Sequence, residues 1–118
     1  MEKQLGPSTR DAYGEALVEI GKANPEVVVL DGDLSSSTRT GKFGQLFPNR
    51  FFNMGIAEAN MVGVASGLAA EGKIPFVSSF ACFLMCKAYD QLRMSVAFPH
   101  LNVKIVTCLL YTSPSPRD

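Results

Sequence analysis

The chain has 118 residues, 47% of them hydrophobic and 19% charged, with eleven basic and eleven acidic side chains and a formal charge of zero. That length supports one small domain with a real core, and the missing basic excess argues against a nucleic-acid or anionic-membrane partner. The longest apolar candidate for a membrane span, Met54 to Ala70, is interrupted by Glu58, Asn60 and Ser66.

Met1 to Pro7 is polar and lacks the apolar core of a secretory signal. Ser8 then caps a first helix, with Asp11 three residues on forming an imperfect capping box. Ala12, Leu17 and Ile20 give that helix an apolar stripe, and Gly21 to Pro25 ends it. Val27-Val28-Val29-Leu30 is a β-branched run without alternation, which predicts a strand buried on both faces of a parallel sheet. It runs into Asp31-Gly32-Asp33 and a polar loop, Ser35 to Thr40. Ligands of open α/β sheets sit beyond the carboxyl ends of strands, so this loop is a first candidate site.

Gly41 to Phe47 reads as a short helix closed by Pro48, and Phe51-Phe52-Asn53 as a second strand. Gly55 supplies a turn, and a helix from about Ala57 to Ala70 ends at Gly72. Ile74 to Ser78 is a third strand, Cys82 to Ala97 a helix with Leu84, Ala88, Leu92 and Val96 on one face, and Val103 to Val106 a fourth strand. Short apolar strands alternating with helices predict an α/β fold, a parallel sheet flanked by helices. Residues 1–107 are read as the N-terminal part of one domain. Residues 108–118 resemble the translated read-through of a transposon-based sequencing adapter, so a non-native tail is expected there and an unfinished sheet edge before it.

Cys82, Cys86 and Cys108 are an odd set without metal-type spacing, which predicts reduced thiols in a cytoplasmic protein. The single histidine, His100, leaves no His-based metal cluster and little room for a Ser-His-Asp device. Glu58 is the one charged residue between Arg50 and Glu71. It reads either as an ordinary first-turn glutamate or as an acid pointing into a cleft or interface. Around it, Ala59, Gly63, Ser66, Gly67 and Ala70 form a face of small residues, and Met61, Val64 and Leu68 a bulkier face expected toward the core. Phe80 and Phe83, three apart after the third strand, either pack in the core or present two rings to one object. Cys86 reads as filler rather than nucleophile. Arg10 lies beside a helix N-terminus, either as a phosphate contact or as an exposed surface residue.

STRDAYGEAL, VVVLDGDLSSSTRTGKF, RFFNMGIAEANMVGVASGLAAEGKIPFVSSF, AYDQLR and FPHLNVKIV together resemble the transketolase family over nearly all of residues 8–107, in particular the split form with a separate C-terminal subunit. The resemblance implies the pyrimidine-binding domain of a thiamine-diphosphate enzyme. It implies that Glu58, within Gly55-Ile56-Ala57-Glu58, hydrogen-bonds N1′ of the aminopyrimidine and favours the imino tautomer that deprotonates the thiazolium. Phe80 and Phe83 match the aromatic pair around the pyrimidine, Cys86 stands where a third wall residue lies, and Ile56 and Asp33 fall beside the cofactor. Arg10 and Ser37 align with positions that touch a sugar phosphate.

No Gly-Asp-Gly…Asn motif for diphosphate and Mg²⁺ is present, so metal ligands are expected on an N-terminal, pyrophosphate-binding partner subunit in an oligomer such as a dimer of heterodimers. The implied reaction moves a two-carbon ketol unit from a ketose phosphate to an aldose phosphate, and the chain alone is expected to be inactive. Two neighbours share the fold: 1-deoxyxylulose-5-phosphate synthase, which shares GIAE and AYDQ, and the β subunit of a 2-oxo-acid dehydrogenase. FFNMGIAEANMVG and FPHLNVKIV lean toward transketolase. A non-catalytic α/β interaction module is the alternative of another class, and Glu58 with both phenylalanines argues against it.

Overall fold

A computed structural model describes Gly6 and residues 8–108. The first helix, α1 (Thr9–Ala23), starts where the cap predicts: Ser8 Oγ accepts from Asp11 N at 3.2 Å and donates to the Asp11 carboxylate at 2.7 Å. The Ser8 hydroxyl first, and the Arg39 guanidinium after it, hold the Asp11 carboxyl below its ordinary range. Strand β1 (Val27–Asp31) follows, buried at every position. Next come α2 (Ser35–Thr38), α3 (Gly41–Leu46), a single 3₁₀ turn at Pro48–Arg50, and β2 (Phe51–Asn53). The rest is α4 (Glu58–Ala70), β3 (Ile74–Phe80), α5 (Ala81–Lys87), α6 (Tyr89–Gln91), a π-helical turn at Leu92–Ala97, and β4 (Lys104–Cys108).

Among the described residues the four strands form one parallel sheet in the order β2-β1-β3-β4. Side chains alternate across a strand, so β1 feeds two cores. Val28 and Leu30 pack with Met61, Val62, Ala65, Val77, Leu84 and Ala88 under α4 and α5. Val27 and Val29 pack with Leu17 and Phe43 under α1 and α3. This is the helix-flanked parallel sheet expected from the sequence. Cys108, assigned to the tail in the sequence reading, is the last residue of β4; the remainder of the expected tail lies outside the described residues.

Three expectations need correction. The polar stretch Ser35–Thr40 is not all loop, because Ser35–Thr38 forms one helical turn ended by Arg39 at φ 66°. The predicted helix Cys82–Ala97 is broken at Ala88 and finishes in the π-helical turn. Leu84, Ala88, Leu92 and Val96 recur every four residues, and on an α-helix of 3.6 residues per turn that spacing drifts by about 40° per step. The break and the wider turn restore the phase, so all four side chains meet the same core. On α4, Val64 is exposed, and Val62 and Ala65 reach the core with Met61 instead.

Arg50 locks the underside of the sheet. It donates to the carbonyls of Val27, Gly21 and Asn24 at 2.8–3.0 Å and lies over the Phe47 ring at 4.4 Å. Five donors in a planar fork suit such a multi-carbonyl site.

Candidate functional site

Parallel strands end on one side of the sheet, and β1, β2 and β3 carry the candidate residues there. Asp31, at the end of β1, is fully buried. It accepts from Leu34 N at 2.6 Å, Thr38 Oγ1 at 2.5 Å and Thr40 Oγ1 at 2.9 Å. Burying a carboxylate requires such donors. The network pins the turn through Gly32 and Asp33. Asp33 is exposed with φ 64°, a left-handed conformation that aspartate tolerates better than most residues. Asn53, at the end of β2, donates to Asp33 Oδ1 at 3.0 Å and accepts from Gly55 N at 3.0 Å. Asn53 thus ties the β1 turn to the loop that leads into α4.

Gly55, at φ 70°, lets the chain leave β2 and enter α4 at Glu58. Glu58 is the first residue of the helix and only 3% exposed. The helix N-terminus favours its negative charge. Among the described residues its charged partner is Lys87, whose Nζ stands 3.7 Å from Glu58 Oε2. That is an ion pair beyond hydrogen-bond range, so the carboxylate keeps its acceptor capacity for another donor. The same ammonium lies 4.5 Å from the centroid of the Phe83 ring. Phe80 ends β3, Phe83 sits one turn into α5, and their ring centroids are 5.8 Å apart at 49°. Both rings are partly exposed, so neither is ordinary core.

The structure therefore joins Glu58, Lys87, Phe83 and Phe80 in one cluster. It joins Arg10 and Ser37 in another, with Arg10 Nη1 donating to the Ser37 carbonyl at 3.1 Å. Ile56 is 75% exposed and Cys86 is exposed. Of the described cysteines, all three are free thiols, and no three of the described His, Cys, Asp and Glu residues group as metal ligands.

Sequence reading missed Lys87, although its place four residues after Phe83 on a helix puts the two side by side. It also missed Ser79. The Ser79 hydroxyl is buried without a hydrogen-bond partner among the described residues, facing Gly32, where an added methyl group would stand 3.4 Å from it. A buried hydroxyl left open beside the turn, an acid with free acceptors and a pair of partly exposed rings fit a flat heterocycle carrying N–H groups.

Tyr13 was likewise not foreseen. Its hydroxyl is 2.7 Å from Ser78 Oγ. Burial pushes the Tyr13 phenol well above its ordinary value of 10.0, with the Asp31 charge adding to the shift and the Ser78 contact opposing it. An unfolded tyrosine ionises near pH 10 while the folded one stays protonated. The stabilising contribution is thus complete below pH 10 and is lost above it. Urea denaturation from pH 8 to 11 should show wild-type stability falling above pH 10 by up to about 1.4 kcal/mol per pH unit more than that of Tyr13→Phe.

A family model described as "Transketolase, pyrimidine binding domain" matches residues 6–112. The chain belongs to the transketolase family. It is 56% identical over 97 residues to a Methanocaldococcus jannaschii protein named as a transketolase C-terminal section, covering 82% of this chain and 31% of that protein. It is 46% identical over 97 residues to a 6-deoxy-6-sulfo-D-fructose transketolase subunit from Clostridium strain MSTE9, covering 82% of this chain and 30% of that one. Among solved structures, a split-gene transketolase described as an inactive β4 tetramer superposes with a TM-score of 0.80 at 57% identity, over 87% of this chain and 34% of that one. The transketolase chain described here thus spans about a third of the length of these relatives.

Proposed function

We propose that this chain is the pyrimidine-binding part of a split transketolase C-terminal subunit, and that with an N-terminal, pyrophosphate-binding subunit it transfers a two-carbon ketol unit between sugar phosphates. The observation that carries this reading is Glu58, a carboxylate only 3% exposed beside the Phe80–Phe83 pair, whose ion pair among the described residues is too long to be a hydrogen bond. Thiamine diphosphate, when bound, supplies the carbanion-stabilising chemistry that no side chain here can provide. Glu58 would accept a hydrogen bond from a ring N–H of the aminopyrimidine and hold the proton at that position. Phe80 and Phe83 bracket the ring and exclude water from it. Asn53 and the Asp31 network keep Asp33 and the Gly55 loop in register with the ring, and Arg10 with Ser37 stands ready for a substrate phosphate.

The diphosphate and Mg²⁺ ligands belong, on this reading, to the partner subunit, in an assembly of both chains. The exposed free thiols fit a reducing cytoplasm. The test is reconstitution. A full-length subunit carrying this domain, mixed with its N-terminal partner, thiamine diphosphate and Mg²⁺, should transfer ketol units from a ketose phosphate to an aldose phosphate. Each subunit alone should be inactive. Activity of the subunit without a partner, or none in the complete mixture, would sink the proposal.

A further inference from the structure

One ammonium group touches both of the groups assigned above to the pyrimidine. Lys87 Nζ is 3.7 Å from the Glu58 carboxylate and 4.5 Å from the Phe83 ring centroid. A cation over an aromatic face is attracted by the ring quadrupole, and a cation beside a buried acid offsets its lost hydration. We propose that Lys87 is a built-in stand-in for the pyrimidine ring, a positioning residue that neutralises Glu58 and covers Phe83 until the cofactor enters and displaces it. The inference rests on the thiamine-diphosphate reading of the site.

The two partners differ in freedom, which decides which one moves. Glu58 is 3% exposed and fixed at the start of α4, whereas the Lys87 side chain is 52% exposed on a flexible four-carbon stem. Its ammonium can swing into water at little cost. Because the pair is longer than a hydrogen bond, no strong bond breaks in the exchange. Lys87 also ends α5, next to the break at Ala88. On this proposal a ring seated against Phe83 displaces the ammonium that lies 4.5 Å from that ring's centroid, so the contacts Lys87 makes with Phe83 and Glu58 compete with the cofactor. The apparent cofactor affinity is therefore lower than the intrinsic one, as for any competing bound state.

The test compares wild type, Lys87→Met and Lys87→Arg in the complex of full-length subunit and partner, by calorimetric titration with thiamine diphosphate. Lys87→Met should tighten the dissociation constant by about three- to tenfold, the combined scale of a loose, half-exposed ion pair and a cation–π contact. Lys87→Arg, which keeps the cation, should stay near wild type. In lysine-selective NMR of the wild-type complex, the Lys87 ammonium signal should move to the free-lysine position on saturation. That measurement holds even where the methionine variant fails to fold. Unchanged or weaker binding by Lys87→Met, or an ammonium signal that does not move, overturns the stand-in while leaving the cofactor reading intact. No binding by the wild-type complex overturns both.

Discussion

Replacing Glu58 by glutamine in the full-length subunit should cut ketol transfer by about 10²-fold or more in the reconstituted mixture, while leaving thermal stability unchanged or slightly raised. The two outcomes together separate a catalytic acid from a structural one. Glutamine keeps the size of Glu58 and one carbonyl acceptor, but cannot hold a proton at the ring nitrogen. Stability should not suffer, because among the described residues Glu58 is a buried charge with one loose ion pair, at 3.7 Å. Removing the charge strands no buried partner, because the Lys87 side chain is 52% exposed and stays hydrated. The sequence accepts this arrangement at a position where a neutral residue would fold as well, the pattern expected of a functional site. A stability loss above about 2 kcal/mol with activity retained would make Glu58 a structural residue.

The largest stability effect should come from Asp31. Asp31→Ala removes a buried carboxylate that takes hydrogen bonds from Leu34 N, Thr38 Oγ1 and Thr40 Oγ1. Leu34 N and Thr40 Oγ1 lose this acceptor, and Thr38 Oγ1 falls back on the Leu34 carbonyl at 3.1 Å, in surroundings with no exposed surface at Asp31, Thr38 or Thr40. An unsatisfied buried donor costs roughly 1–3 kcal/mol, so a total loss of about 3–5 kcal/mol is expected. That is a large part of the 5–15 kcal/mol typical of a whole domain. Asp31→Asn keeps one acceptor oxygen and should fall between alanine and wild type. Urea denaturation of the full-length subunit measures both. A loss below about 1 kcal/mol for Asp31→Ala would mean that the turn through Gly32 and Asp33 is held by other contacts.

The difference between these two carboxylates explains how much was legible in the sequence. Glu58 was visible because it is a lone charge in a long apolar helix, and the structure buries it as that isolation implies. Asp31 follows four apolar residues in the same way, yet its partners lie seven and nine residues on, in hydroxyl side chains that read as a polar loop. Hydrogen-bond closure of that kind has no periodicity, so it leaves no pattern to find. The strands were legible because burial on both faces demands continuous β-branched runs such as Val27–Leu30. The π-helical turn was not, because a strict four-residue apolar spacing is written identically for a straight helix and for one that must change pitch to keep its phase. Lys87 was hidden for another reason. Its neighbour in sequence is Cys86, but its neighbours in space are Glu58 and Phe83, one on another helix and one a full turn back.

The central claim is that Glu58 and the paired phenylalanines form half of a thiamine-diphosphate site completed by a second subunit. The most direct measurement is a calorimetric titration of thiamine diphosphate, with Mg²⁺ present, into wild-type and Glu58→Ala full-length subunits, each mixed with the N-terminal partner. Saturable binding by the wild-type mixture, weakened about tenfold or more by Glu58→Ala, is the result predicted. Equal affinity for both mixtures, or binding by the partner subunit alone as tight as by the mixture, would contradict it.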